Sequence, residues 1–233
     1  MDNQTTQSKS RNNDTYYDKD YFADQQKVGI DNTFGVTKVF QKHISESDTV
    51  LDFGCGGGFL LSQISCTKKI GFDVNLVALE TAKLNGLITV NSYDDIDDNS
   101  VDVVMSNSAI EHTPTPFEDI CKLHSKLKVG GKAVFRVPHE TIGYKYKPND
   151  WNYHLYTWSP MAIGNLFNEA GYNVISVDNE KGMQPPLYKL FRNVSFLINI
   201  TSSIYRIIRL IIEELGIKSA SCDGYSILVA EKK

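Results

Sequence analysis

One stretch near residue 50 limits the possible folds more than any other part of the chain. Thr49-Val-Leu-Asp-Phe53 is a short apolar run of β character, and Gly54-Cys55-Gly56-Gly57-Gly58 follows it at once. Glycine carries no Cβ, so this cluster lets the chain turn sharply and lets backbone approach a ligand closely. Phe59 to Ser65 then reads as a helix. Strand, glycine turn and helix together form the opening unit of an open α/β sheet, whose ligands sit at the carboxyl ends of the strands. Two glycine-loop chemistries are excluded. A dinucleotide fingerprint G-x-G-x-x-G needs glycine where Phe59 stands, and no Gly-Lys-Ser/Thr follows to make a P-loop.

The alternation continues along the chain. Helices are expected at Asn32 to His43, at Leu76 to Leu84, from Thr115-Pro116 to Gly130-Gly131 and from Ser159-Pro160 to Gly171. Asn75 is placed to cap the second of these, and Thr115-Pro-Phe-Glu118 has the capping-box pattern with proline at the first helical position. Further strands are expected at Lys69–Asp73, Leu87–Asn91, Val101–Ser106, Lys132–Val137, Asn173–Val177 and Tyr225–Ala230. Strands separated by helices of this length predict an α/β fold: a doubly wound, mostly parallel seven-stranded sheet covered on both faces.

Composition narrows the setting. With 233 residues, 41% of them apolar and 22% charged, the chain suits one well-cored domain with an appendage. A formal net charge of -4 argues against nucleic acid as the main partner. The cysteines Cys55, Cys66, Cys121 and Cys222 form no C-x-x-C pair, which suits a reducing cytoplasm. Residues 1–15 are polar and read as a disordered tail rather than a leader, and no apolar run is long enough to span a bilayer. The expected domain is then 16–181 with 224–233, interrupted by a helical insertion at 182–223.

The ordered segments carry a resemblance. They are Asp52-Phe-Gly54-Cys55-Gly56-Gly-Gly58, the acid of Gly-Phe-Asp73-Val74, Asn91-Ser-Tyr-Asp94-Asp95, Val101 to Asn107 leading into Ser-Ala-Ile-Glu111-His112, and Leu127-Lys-Val-Gly-Gly-Lys-Ala-Val-Phe135. In order and spacing, from about Tyr16 to Ala170, the chain resembles class I S-adenosylmethionine-dependent methyltransferases, closest to the small-molecule (type 11/23-like) group. The resemblance implies S-adenosyl-L-methionine as cofactor. Asp52, Gly54, Cys55, Gly56 and Gly58 would cup its amino acid and ribose. Asp73, followed by Val74, would accept hydrogen bonds from the ribose diol, Asp94 would stand beside the adenine, and Ser106 and Asn107 would lie under the methionine end.

The expected reaction is methyl transfer to a small-molecule acceptor through a hydroxyl, on a sugar, a lipid-linked precursor or a quinone-like compound. A hydroxyl needs a proton acceptor, and His112, His139 and His154 are the candidates. His154 lies in the aromatic run Trp151 to Trp158, which reads equally as a substrate wall or as loop packing. Some similar enzymes hold a divalent metal with E-x-x-E-H, but here Ser108 stands at the first acid before Glu111-His112, so no metal is expected. Cys121 and His124 share a helix face with no second pair of ligands in view, which reads as coincidence. Two other functions stay open. One is a non-catalytic, cofactor-binding partner subunit. The other is an RNA or protein methyltransferase, disfavoured by the acidic balance and by Asn107-Ser-Ala-Ile where an Asn/Asp-Pro-Pro-Tyr motif would stand. In the insertion, Leu187 to Leu215 has apolar residues at helical spacing, with Lys189, Arg192, Arg206 and Arg209 interspersed. Core packing, a homodimer face, a lid and peripheral membrane contact all fit that pattern.

Overall fold

The computed structural model describes residues 35–140, 146, 153–180 and 222–233. The polar tail and the insertion up to residue 221, with its membrane or dimer readings, lie outside the described residues. No described helix is long and apolar enough to cross a membrane.

Seven strands form one sheet in the order β3-β2-β1-β4-β5-β7-β6. They are β1 Thr49–Phe53, β2 Lys68–Phe72, β3 Ile88–Val90, β4 Val101–Asn107, β5 Leu127–Glu140, β6 Tyr172–Glu180 and β7 Cys222–Lys232. Pairing is parallel from β3 through β5, while β7 runs antiparallel between β5 and β6. The strand order reverses between β1 and β4. In open α/β sheets this switch point opens a crevice at the carboxyl ends of the strands, and the glycine cluster emerges there.

The helices are α1 (35–41), α2 Phe59–Ser62, α3 Leu76–Leu84, α4 Pro116–Lys126 and α5 Pro160–Glu169. Asn75 caps α3 as its sequence position predicts, accepting from the N–H groups of Val77 and Ala78. Thr115 holds the N-cap position and Pro116 the first helical position, where its fixed φ suits the helix, as expected, but the Thr115 side chain makes no cap bond. Gly130-Gly131 does not end α4. The helix stops at Lys126, and β5 begins directly at Leu127, with left-handed Gly130 and a register shift against β4 inside it.

Strand alternation divides the core. On one face, Leu51, Phe53, Phe72, Val104 and Phe135 pack against Ile120 and Leu123 of α4 and Ile163 and Phe167 of α5. On the other, Val50, Val103, Met105 and Val134 pack with Phe40, Leu61 and Ala82 from α1, α2 and α3. Phe135 and Phe167 meet edge to face at 4.9 Å, both fully buried. Removing such a ring leaves a void that a sheet held on both faces cannot close. Phe167→Ala is therefore expected to lower the unfolding free energy by about 3–5 kcal/mol, read as a fall in the urea midpoint without a change in slope.

Candidate active site

The glycine loop is held by bonds that only its backbone can make. Gly54 and Cys55 both donate their N–H to the Phe72 carbonyl, at 2.9 and 3.0 Å. Gly54 is left-handed (φ 73°), and a Cβ there would collide with the Cβ of Ala109. Gly56 is also left-handed (φ 52°), but a Cβ on it would meet nothing within 4 Å. The first glycine is needed for packing. The second turns the backbone toward open space, where a ligand can approach.

Asp73 sits directly after β2, beside this opening. Its Oδ2 accepts from the Gly56 N–H at 2.8 Å and its Oδ1 from the Asn75 N–H at 2.9 Å. Each carboxylate oxygen has a second lone pair, so the group is oriented and still able to accept from a vicinal diol. Burial raises its pKa above the usual carboxylate value, opposed by hydrogen bonds from Asn75, Gly56 and Val74. Asp52, more deeply buried, is pushed up to about 8, chiefly by burial and then by the charge of Asp73. Two acids sharing one poorly solvated turn favour a cationic ligand. An open glycine turn backed by a diol-accepting carboxylate fits S-adenosylmethionine, whose amino group and sulfonium are positive.

The remaining expected cofactor residues divide. Val74 is 72% exposed after β2, and Asp94 is exposed in the short 3-10 turn Tyr93–Asp95, capped by Ser92. Gly58 is left-handed at the start of α2. Cys55 packs against Gly71, and burial drives its thiol pKa upward, so it fills space and is not a ready nucleophile. Ser106 has a structural bond of its own. Its buried hydroxyl donates to the Phe53 carbonyl at 2.9 Å and ties β4 to the end of β1. The Asn107 Oδ1 likewise accepts from Arg136 at 3.1 Å.

Beyond β4 the chain enters a second polar group. Ser108, at the acid position of the incomplete cation motif, is left-handed (φ 55°) and donates its N–H to the Arg136 carbonyl. Glu111 follows, fully buried, and neither carboxylate oxygen has a hydrogen-bond partner. Burial pushes its carboxyl up to about 8. Its carbonyl accepts from the N–H groups of Leu155 and Tyr156, at 2.9 and 3.2 Å, and so clips the aromatic loop to the end of β4. That clip brings His154 to His112, with ring centroids 5.0 Å apart and edge to face. Donor atoms of Glu111, His112 and His154 all lie within 4.8 Å of one another. Behind them, His154 Nδ1 meets Glu140 Oε1 at 3.1 Å.

Of the three expected histidines, the structure thus joins His112 and His154. His139 stands outside the group and pairs through Nε2 with the Ser226 hydroxyl across β5 and β7. The described part of the aromatic loop packs on the core at one end. Trp158 is buried in the core with Tyr156 stacked on it at 5.5 Å, while Tyr153 and Leu155 remain exposed. His124 packs edge to face on Tyr172, and no Cys121–His124 metal group forms among the described residues.

Arg136 was not among the expected site residues. It is 8% exposed and links Glu180 Oε2 (2.6 Å), Asn107 and the face of Tyr225 (3.3 Å to the centroid). A charged residue inside the apolar run Ala-Val-Phe-Arg-Val was the available signal, since arginine is seldom buried unless paired.

Comparison with known proteins identifies the family and the fold. The family model described as "Methyltransferase domain" matches residues 32–177, well over half of the chain. The Ubiquinone biosynthesis O-methyltransferase of Nitrosococcus oceani is 30% identical over 104 residues, covering 40% of this chain and 44% of that protein. The chain therefore aligns with less than half the length of that relative. The fold is shared with Haemonchus contortus phosphoethanolamine N-methyltransferase 2 bound to S-adenosyl-L-methionine (TM-score 0.62, 16% identity, 96% of this chain and 58% of that one). It is shared too with a Haloferax volcanii methyltransferase in complex with the Trm112 activator (TM-score 0.64, 19% identity, 94% and 96%). The cofactor of this chain is S-adenosylmethionine, and the chain belongs to the methyltransferase-domain family.

Proposed function

We propose that the chain transfers the cofactor's methyl group to a hydroxyl of a small molecule, with the acceptor lying against the Glu111, His112 and His154 group. The observation that carries this reading is the clustering of two imidazoles and a buried carboxylate at the carboxyl end of β4. The glycine turn and Asp73 stand at the neighbouring ends of β1 and β2. An amine acceptor needs only its lone pair, whereas a hydroxyl must lose a proton, and proton-handling groups beside the donor suit the latter. The acceptor oxygen bonds to the methyl carbon as the carbon–sulfur bond breaks. That electron pair goes to sulfur, leaving neutral S-adenosylhomocysteine, and the hydroxyl proton leaves through the polar group to solvent. Because the sulfonium already activates the methyl group, the protein's main task is in-line alignment.

Among acceptor classes, a quinone-like phenol draws support from the O-methyltransferase relatives, while a sugar or lipid-linked hydroxyl fits the same chemistry. The described cysteines Cys55, Cys66 and Cys121 are unpaired, which suits a reducing cytoplasm.

Methyl-labelled cofactor offered with phenols, sugars and lipid precursors is expected to give a labelled methyl ether. His154→Ala is expected to lower kcat by about 10²–10⁴-fold. Label found only in amines, protein or RNA would refute a hydroxyl on a small molecule.

On the cofactor side, Asp73→Ala is expected to weaken S-adenosylmethionine binding by ~1.5–3 kcal/mol, the usual worth of hydrogen bonds to a charged group. Calorimetry measures this directly, and circular dichroism checks that the fold survives.

Asp52 makes a pH prediction. Its pKa rises from about 4 unfolded to about 8 folded, so the unfolded chain releases this proton first. Stability from this group is complete below about pH 4 and is lost as pH rises toward about 8, at up to ~1.4 kcal/mol per pH unit. Cofactor-free protein should show that fall in urea titrations, and Asp52→Asn should flatten it.

A further inference from the structure

Glu111 presents a demand that the protein's own side chains leave unmet. It is fully buried, and neither of its carboxylate oxygens has a hydrogen-bond partner. Buried polar atoms are nearly always satisfied, and an uncompensated buried carboxylate costs several kcal/mol. The groups facing it are nitrogen donors. His112 Nε2 lies 4.0 Å from Glu111 Oε1, and the ligating atoms of Glu111, His112 and His154 are all within 4.8 Å of one another.

The surroundings fix this arrangement. The bonds from Leu155 and Tyr156 to the Glu111 carbonyl hold the loop bearing His154 against the turn bearing Glu111 and His112. Glu140 stands behind His154 on Nδ1. A neutral imidazole must donate to a carboxylate, so Nε2 then carries the lone pair. A carboxylate behind a histidine is the common way that proteins orient a metal-ligating ring and raise its basicity.

We propose that Glu111, His112 and His154 hold a divalent transition-metal ion that receives the acceptor hydroxyl. Two imidazoles and one carboxylate suit zinc, manganese, iron(II) or cobalt; magnesium and calcium prefer oxygen throughout. The sequence pattern hides the site because Ser108 replaces an acid, and the third donor comes from a loop far along the chain. Donors around an ion at about 2.1 Å stand roughly 3–3.5 Å apart, so modest side-chain rotations close the group. Three protein ligands leave positions open for an acceptor oxygen. Such an ion would lower that hydroxyl's pKa, so that the proton could leave through the polar group to solvent. This deepens the reading of a hydroxyl acceptor, yet ion binding is measurable without turnover.

The test uses the full chain, stripped with EDTA and titrated with cobalt(II) or manganese(II) alone. Calorimetry, elemental analysis and the visible cobalt spectrum should report one equivalent per chain. Glu111→Gln keeps the side chain's shape while removing its charge, and His154→Ala removes a donor. Each should weaken ion affinity at least tenfold while S-adenosylmethionine binding persists. Glu140→Gln should weaken it less. No stoichiometric binding, or binding indifferent to both Glu111→Gln and His154→Ala, overturns the proposal. Ether formation undiminished in the EDTA-stripped protein would also overturn it, while leaving the hydroxyl reading intact. Tight ion binding lost in the variants, with methyl found only on amines, would uphold the ion site and refute the hydroxyl reading.

Discussion

The cofactor end of the molecule depends on how the carboxyl ends of β1 and β2 are joined. The Phe72 carbonyl takes the amides of Gly54 and Cys55, and the Asp73 carboxylate takes those of Gly56 and Asn75. These bonds require a backbone that turns left-handed at Gly54 and Gly56. They also place one carboxylate where it orients the glycine loop, starts α3 and faces the opening. The packing on both faces of the sheet keeps β1 and β2 in register, so the loop is a rigid consequence of the core.

A second junction, at the ends of β4 and β5, is built on different physics. The glycine turn uses backbone donors around the Asp73 carboxylate, with Asp52 buried beside it and its pKa pushed up. The β4 junction uses side chains: Ser106 ties it to β1, Asn107 and Arg136 tie it across to Glu180 and Tyr225, and the Glu111 carbonyl clips down the aromatic loop. Arg136 satisfies its guanidinium locally. The Glu111 carboxylate oxygens, by contrast, have no hydrogen-bond partner, and burial pushes that carboxyl up to about 8.

Much of this was legible in the chain, for local reasons. The glycine cluster, the acid ending β2 and the Asn75 cap act over a few residues, and their chemistry is visible in the residue types alone. The errors were also local signals, but ones that tertiary structure overrode. Thr115 and Glu118 had the capping pattern, and α4 does begin on Pro116 after Thr115, but the Thr115 side chain makes no cap bond. Gly130-Gly131 looked like a helix end and lies within β5, where the strand must absorb a register shift against β4.

The sequence by itself determined the alternating α/β order and the left-handed glycine turn beside Asp73, because each rests on contacts between near neighbours along the chain; the type of cofactor came from the family resemblance those segments carry. Only the tertiary structure decided that β7 enters antiparallel between β5 and β6, and that His154 rather than His139 joins His112 and Glu111. Those outcomes depend on which distant segments share a strand edge or a backbone clip. Spacing along the chain carries no record of that choice.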